Sequence, residues 1–158
     1  MSLLPFFQWC HQSGLGVTIR TSTWAFPVIE AFHLLGFGLT AGAVLVVNLR
    51  LLGVGLSRQP VAQLSAAVKP WLIGGVTLMF ISGIPLFLSE SIKCYYSFAF
   101  WVKMTSLFLV LLFTFTVQRQ AIKAGLTSNR PLLGRLTALI SLGLWSGVAW
   151  GGRWIGFS

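Results

Sequence analysis

A carboxylate and an imidazole one helical turn apart, Glu30 and His33, lie in an otherwise apolar run from Trp24 to Val47. An ionisable side chain at the centre of a bilayer costs about 2.5–3.5 kcal/mol on insertion scales, so such groups are rare and usually have a partner or a task. His33 is the one histidine inside any apolar run of this chain. Neutral imidazole ligates haem iron and suits copper and zinc. The competing reading is a histidine hydrogen-bonded to a neighbouring helix and oriented by Glu30 or a backbone carbonyl. Lys103 is expected at a similar depth, where it could pair with Glu30, reach up to the headgroups, or face a propionate of a porphyrin beside His33. Arg153 and Arg20 are further candidates for propionates, and Trp150 for the ring's aromatic lining. For a second metal ligand the sequence offers His11 and Met104, with Met79 nearer the other leaflet. Cys10 and Cys94 are the chain's two cysteines. They either form a disulfide in an oxidising compartment or remain two separate thiols.

The elements that must carry these residues are helices. Of the 158 residues, 56% are hydrophobic and only two are acidic, a composition of integral membrane proteins. A span needs roughly 20 apolar residues. Four stretches qualify, at about 24–47, 71–89, 98–117 and 136–155, and predict an all-α, four-transmembrane-helix bundle in a single domain, residues 1–158. Pro27 suits the first turn of the first span, and Pro70 suits the start of the second. Residues 57–69 read as a short amphipathic connector with Val61, Leu64, Ala67 and Val68 on one side, and 118–135 as a polar, basic connector with a turn at 127–131. The first sixteen residues lack a positive n-region, and Pro5 interrupts their apolar run. They predict a short N-terminal interfacial segment kept in the mature protein rather than a signal peptide.

The net charge of +9 comes from single basic residues spread along the chain, the pattern of membrane topology rather than of nucleic-acid binding. Arg50, Arg58, Lys69, Arg119, Lys123, Arg130 and Arg135 flank the two connectors. Arg20, Lys93, Lys103 and Arg153 belong to the other side. The positive-inside rule then predicts cytoplasmic connectors and both termini in the periplasm. In that frame His33 lies about 13 Å below the outer end of its helix at 1.5 Å per residue. Gly143, Gly147 and Gly151 form a ridge down the fourth span, as Gly38 and Gly42 do in the first. Either ridge could be a helix contact or a flat slot for a planar ligand.

Much is excluded. The chain has no glycine-rich phosphate loop, no paired-carboxylate site, no Ser/His/Asp set and no His-x-x-x-His helix. Hydrolysis of the soluble-enzyme type is ruled out, and two acids make a carboxylate relay for protons a poor prospect.

The run Trp24-Ala-Phe-Pro27-Val-Ile-Glu30-Ala-Phe-His33-Leu-Leu-Gly36, with Asn48-Leu-Arg50-Leu-Leu-Gly53 and Lys69-Pro70-Trp71, resembles a family of small, uncharacterised bacterial four-helix inner-membrane proteins. Its most specific element is Pro27-x-x-Glu30-x-x-His33. The family usually has Asp where this chain has Asn48, which removes a candidate partner for Arg50. A more distant similarity is to copper-resistance D proteins and to b-type membrane cytochromes, which generally offer histidines from more than one helix. These likenesses imply a bacterial inner-membrane location. The expectation from residues and resemblance together is a haem b protein with His33 as axial ligand, passing electrons or sensing redox state near the periplasmic face with a periplasmic redox partner. A homo-oligomer is expected as well. The alternatives are copper or small-solute transport through His33, Met79 and Met104, and a structural or accessory subunit without cofactor.

Overall fold

A computed structural model describes residues 3–54, 59–125 and 130–156. Arg58 and the turn residues 127–129 lie outside them. The described residues form helices and contain no strand. Two short helices, α1 (Leu4–His11) and α2 (Gly14–Thr21), precede α3 (Ala25–Leu52) and α4 (Val61–Tyr96). Helix α5 (Phe98–Phe113) runs through a π-helical turn (Thr114–Gln118) into α6 (Arg119–Lys123), and α7 (Pro131–Ile155) ends the fold. Four helical stretches, Ala25–Leu52, Val61–Tyr96, Phe98–Lys123 and Pro131–Ile155, are long and apolar enough to cross a membrane. The chain is a multi-pass, four-helix membrane protein. Many of its large apolar side chains, among them Phe32, Leu34, Ile81, Phe108 and Leu139, are exposed on the bundle's exterior, where lipid rather than water suits them.

The second span differs from expectation. Pro70 does not begin α4: the helix starts nine residues earlier, after extended Pro60, and continues through both Pro70 and Pro85. Val61 and Val68, expected on the apolar side of a separate connector, instead lengthen the membrane helix and pack against the cluster of Val47, Leu51, Ile122 and Ala138. Burial of that face offsets the backbone bond that Pro70 removes. Near its other end α4 bends at Glu90, whose backbone leaves helical geometry (φ −118°, ψ 22°).

The N-terminal segment is two helices that pack on α4. Ser13 joins them: its Oγ donates to the Cys10 carbonyl at 2.7 Å and accepts from the Gly16 N–H at 3.2 Å. Phe7, Cys10 and Ile19 are buried, and the Ser91 hydroxyl donates to the Phe7 carbonyl at 3.0 Å. At the far end of α3, Gly53 adopts φ +82°, the left-handed cap in which the Gly53 and Val54 N–H groups close on Arg50 and Leu49.

Packing pairs α3 with α4 and α5 with α7, and α3 against α7 joins the two pairs. Direct contact between α4 and α5 is sparse. Close approach depends on glycine at a few points. A Cβ on Gly75 would stand 2.7 Å from the Gly36 carbonyl oxygen, and one on Gly151 2.8 Å from that of Ala99. Of the five glycines of the two expected ridges, Gly147 and Gly151 face α5, while Gly143 meets nothing within 4 Å of a Cβ position. Gly38 and Gly42 touch nothing within 4 Å of a Cβ position. They border a shallow apolar groove of about 220 Å³ with Leu39, Val68 and Trp71.

Candidate functional site

His33 is carried on α3 at the edge of the face that meets α4, one turn before the Gly36–Gly75 contact brings the two backbones together. Its Nδ1 lies 3.0 Å from the Ser82 hydroxyl oxygen. That hydroxyl is 2.6 Å from the Leu78 carbonyl, to which its single hydrogen is donated. Ser82 therefore has only lone pairs to offer the ring, which places the hydrogen of a neutral imidazole on Nδ1. Nε2 keeps its lone pair. Gly83 makes room for the ring, since a Cβ there would stand 3.2 Å from His33 Cε1. The Met79 carbonyl lies beside the ring as well.

Lys103, on α5, lies within electrostatic reach of both His33 and Cys94. It packs against α7 at Gly151 and Gly152. The expected Glu30–Lys103 ion pair is not formed among the described residues: Glu30 is exposed on the outside of α3, and Lys103 is turned into the bundle. One turn of helix separates Glu30 from His33 but also rotates it away from the α4 contact.

His11, the first candidate for a second ligand, has its Nδ1 3.1 Å from an Arg20 guanidinium nitrogen. Arg20 also donates to the Ser89 carbonyl at 3.0 Å, so it ties α1 and α2 to α4 near the bend. The two histidines thus meet α4 at Ser82 and near Ser89, levels about 10 Å apart along a helix. Met104 is exposed, whereas Met79 is buried with its side chain against Gly36. Trp150 stacks on Trp154 (centroids 5.6 Å, planes 16° apart), and both are exposed. Arg153 is an exposed member of the same last turns of α7. Cys10 and Cys94 are both buried and free, not bridged. No group of three or more His, Cys, Asp or Glu side chains able to hold a metal occurs among the described residues. Gly38 and Gly42 do not supply a slot for His33, because five and nine residues place them about 140° and 180° around the helix from it.

Sequence reading missed Ser82 and Gly83. Their signal is a seven-residue repeat of small residues on α4, Gly75–Ser82–Ser89, all buried. It also missed a second polar centre in the other half of the bundle. Asn48 is fully buried, donates to the Ser141 hydroxyl at 3.0 Å and accepts from Gln118 Nε2 at 3.3 Å. This links α3, α7 and the π turn. Arg50, considered as a neighbour of residue 48, donates instead to the Gln59 carbonyl at 2.8 Å. Beside this centre the buried Thr114 hydroxyl has no hydrogen-bond partner, a deficit worth about 1–3 kcal/mol.

The profile of DUF6644, a family of unknown function, matches residues 6–158. The chain belongs to DUF6644. The resemblance to an uncharacterised family is thereby accounted for over almost the whole chain, whereas the likeness to copper-resistance D proteins and to b-type cytochromes finds no support. No curated protein and no solved structure matches this DUF6644 chain.

Proposed function

We propose that this DUF6644 member is a haem-binding, cytochrome-like protein of the bacterial inner membrane, in which each chain would contribute Nε2 of His33 as an iron ligand and a second copy would complete the site. The observation that carries this reading is the His33–Ser82 bond, which commits the Nδ1 hydrogen to α4 and leaves Nε2 able to ligate. Metal-binding histidines ordinarily donate their other ring N–H to a neighbouring acceptor in this way. A bound haem would supply one-electron chemistry between ferric and ferrous iron. The chain holds the ring in place. Ser82 selects the tautomer, Gly83 admits the ring against α4, and Lys103 with Arg153 brings positive charge to the same end of the bundle.

The fit is that of half a site. His11 is engaged with Arg20, Met104 faces outward, and Met79, whose carbonyl lies beside the ring, packs its side chain against Gly36. The exposed side of α3 next to His33, with Phe32 and Leu34, offers a surface on which a two-fold partner would present the same residues. Electron transfer would then take place near the face predicted to be periplasmic, with a periplasmic redox partner.

The visible spectrum of protein purified from haem-replete cells is the test. A Soret band that disappears in His33→Ala, and a midpoint potential that shifts in Ser82→Ala, are expected. A colourless preparation that takes up copper would replace this reading with transport. One rival rests on the same contacts: a histidine pinned by Ser82 and Gly83 could simply join α3 to α4 in an accessory subunit. In that case the protein is colourless and metal-free, and His33→Ala changes only its stability.

A further inference from the structure

The half of the bundle away from His33 contains a second cavity, of about 320 Å³, between α3, the first turns of α4, and the π turn with α6. Asn48 lies fifteen residues beyond His33 on α3, so the cavity is about 20 Å from the imidazole along the helix axis. Its walls are apolar where Val44, Val47, Leu72 and Phe115 face it, and its polar side carries Asn48 and Gln118. Lys69, Arg119 and Lys123 line its margin, all three exposed. The chain has two acids, Glu30 and Glu90, and both belong to the opposite end of the bundle. Among the described residues no carboxylate is placed to neutralise the three cations.

The π turn shapes this site. A π turn is often found where a helix serves a binding function. Here Thr114, Phe115 and Gln118 of the π turn all border one cavity. Buried Val44, Val47 and Asn48 of α3 form its back, and exposed Ala62, Ala66, Phe115 and Arg119 its rim, so it opens laterally between α4 and the α5–α6 stretch. A lateral opening, an apolar wall and a cationic margin match a phosphate-bearing lipid, and basic pockets between membrane helices are known to hold such headgroups. The volume is too small for an entire phospholipid but falls in the range of small-ligand sites, enough for a headgroup and the first part of a chain.

We propose that this cavity is a binding site for an anionic phospholipid of the adjacent leaflet, its phosphate held by Lys69, Arg119 and Lys123 and its headgroup hydroxyls by Gln118. Native mass spectrometry of the detergent-solubilised protein, titrated with phosphatidylglycerol, phosphatidylcholine or inorganic phosphate, tests it. Phosphatidylglycerol is expected to bind the wild type well above phosphatidylcholine. The triple variant Lys69→Gln, Arg119→Gln, Lys123→Gln should lose about a hundredfold in affinity, each basic side chain near a headgroup being worth roughly fivefold. Ala66→Phe, at an exposed position on the cavity wall, should abolish binding with every charge kept, while helix content by circular dichroism stays that of the wild type. Equal binding of the two lipids, or unchanged phosphatidylglycerol binding in either variant, overturns the proposal. Displacement of the lipid by millimolar phosphate, with the phosphate retained in its place, overturns the lipid assignment in favour of a free-oxyanion site.

Discussion

At the scale of single residues, the contact between His33 and Ser82 has an asymmetry that mutation can read. The Ser82 hydroxyl already donates to Leu78, so replacing His33 by leucine leaves no donor on α4 unpaired. Replacing Ser82 by alanine removes the side-chain acceptor of the Nδ1 hydrogen inside an apolar bundle. Ser82→Ala is therefore expected to cost about 1 kcal/mol, the usual worth of an interhelical hydrogen bond in a membrane, and His33→Leu less. Reversible unfolding in mixed micelles gives both values, and the opposite order would mean that ring packing on Gly83 outweighs the bond. The position of His33 was legible because an imidazole in an apolar run stands out in any hydropathy reading. Its partner was not, because a serine hydroxyl that bonds its own helix's carbonyl leaves almost no trace in composition. Glu30 misled for a related reason: one turn of sequence spacing places two groups near each other on a helix but does not say which of them faces the neighbouring helix.

At the scale of elements, spacing identified stripes of glycine but not the direction each one faces. Gly36 and Gly75 form the close crossing of α3 and α4, while the more conspicuous Gly38 and Gly42 face open space. Gly75→Ala would push a methyl into the Gly36 carbonyl and the Thr40 backbone, atoms that cannot step aside, and should destabilise by about 1–3 kcal/mol. Gly42→Ala, with nothing to meet, should instead be neutral or stabilising by up to about 1 kcal/mol through helix propensity. Unfolding of the two variants side by side checks the assignment, and equal costs would remove it. The Asn48 centre supplies a second element-scale test. Asn48→Leu and Gln118→Leu should each cost about 1–2 kcal/mol, and the double variant less than their sum, because either change alone strands the other's amide. Additive costs would show that the two residues are not coupled. The length of α4 was the larger surprise. Proline propensity argues for a start at Pro70, and only the burial of Val61 and Val68 against α3, α6 and α7, a tertiary fact, carries the helix back to Pro60.

At the scale of the whole molecule, the four spans sort the charges into two unlike ends. Close contacts of Gly16 with Leu88 and of Gly151 with Ala99 gather α2, the end of α4, the start of α5 and the end of α7 at one end. Both acids and the basic residues Arg20, Lys93, Lys103 and Arg153 belong to that half. The opposite half has Arg50, Lys69, Arg119, Lys123, Arg130 and Arg135 among the described residues, and no acid. This division was legible in the sequence, because span count and basic-residue position are both one-dimensional properties. An even number of crossings puts the two ends of the described fold on one side, and the positive-inside rule predicts that the more basic side faces the cytoplasm. A phosphatase fused after Ser158 is accordingly expected to be active in cells and a green fluorescent protein at the same point dark. The reverse pattern would invert the bundle: His33 would then lie in the cytoplasmic leaflet, and electron exchange with a periplasmic partner would have to cross most of the membrane. Neutralising Arg119, Lys123, Arg130 and Arg135 together should erode the phosphatase signal while leaving the helices themselves intact. Those side chains are exposed, so their influence is on which way the bundle inserts rather than on how it folds.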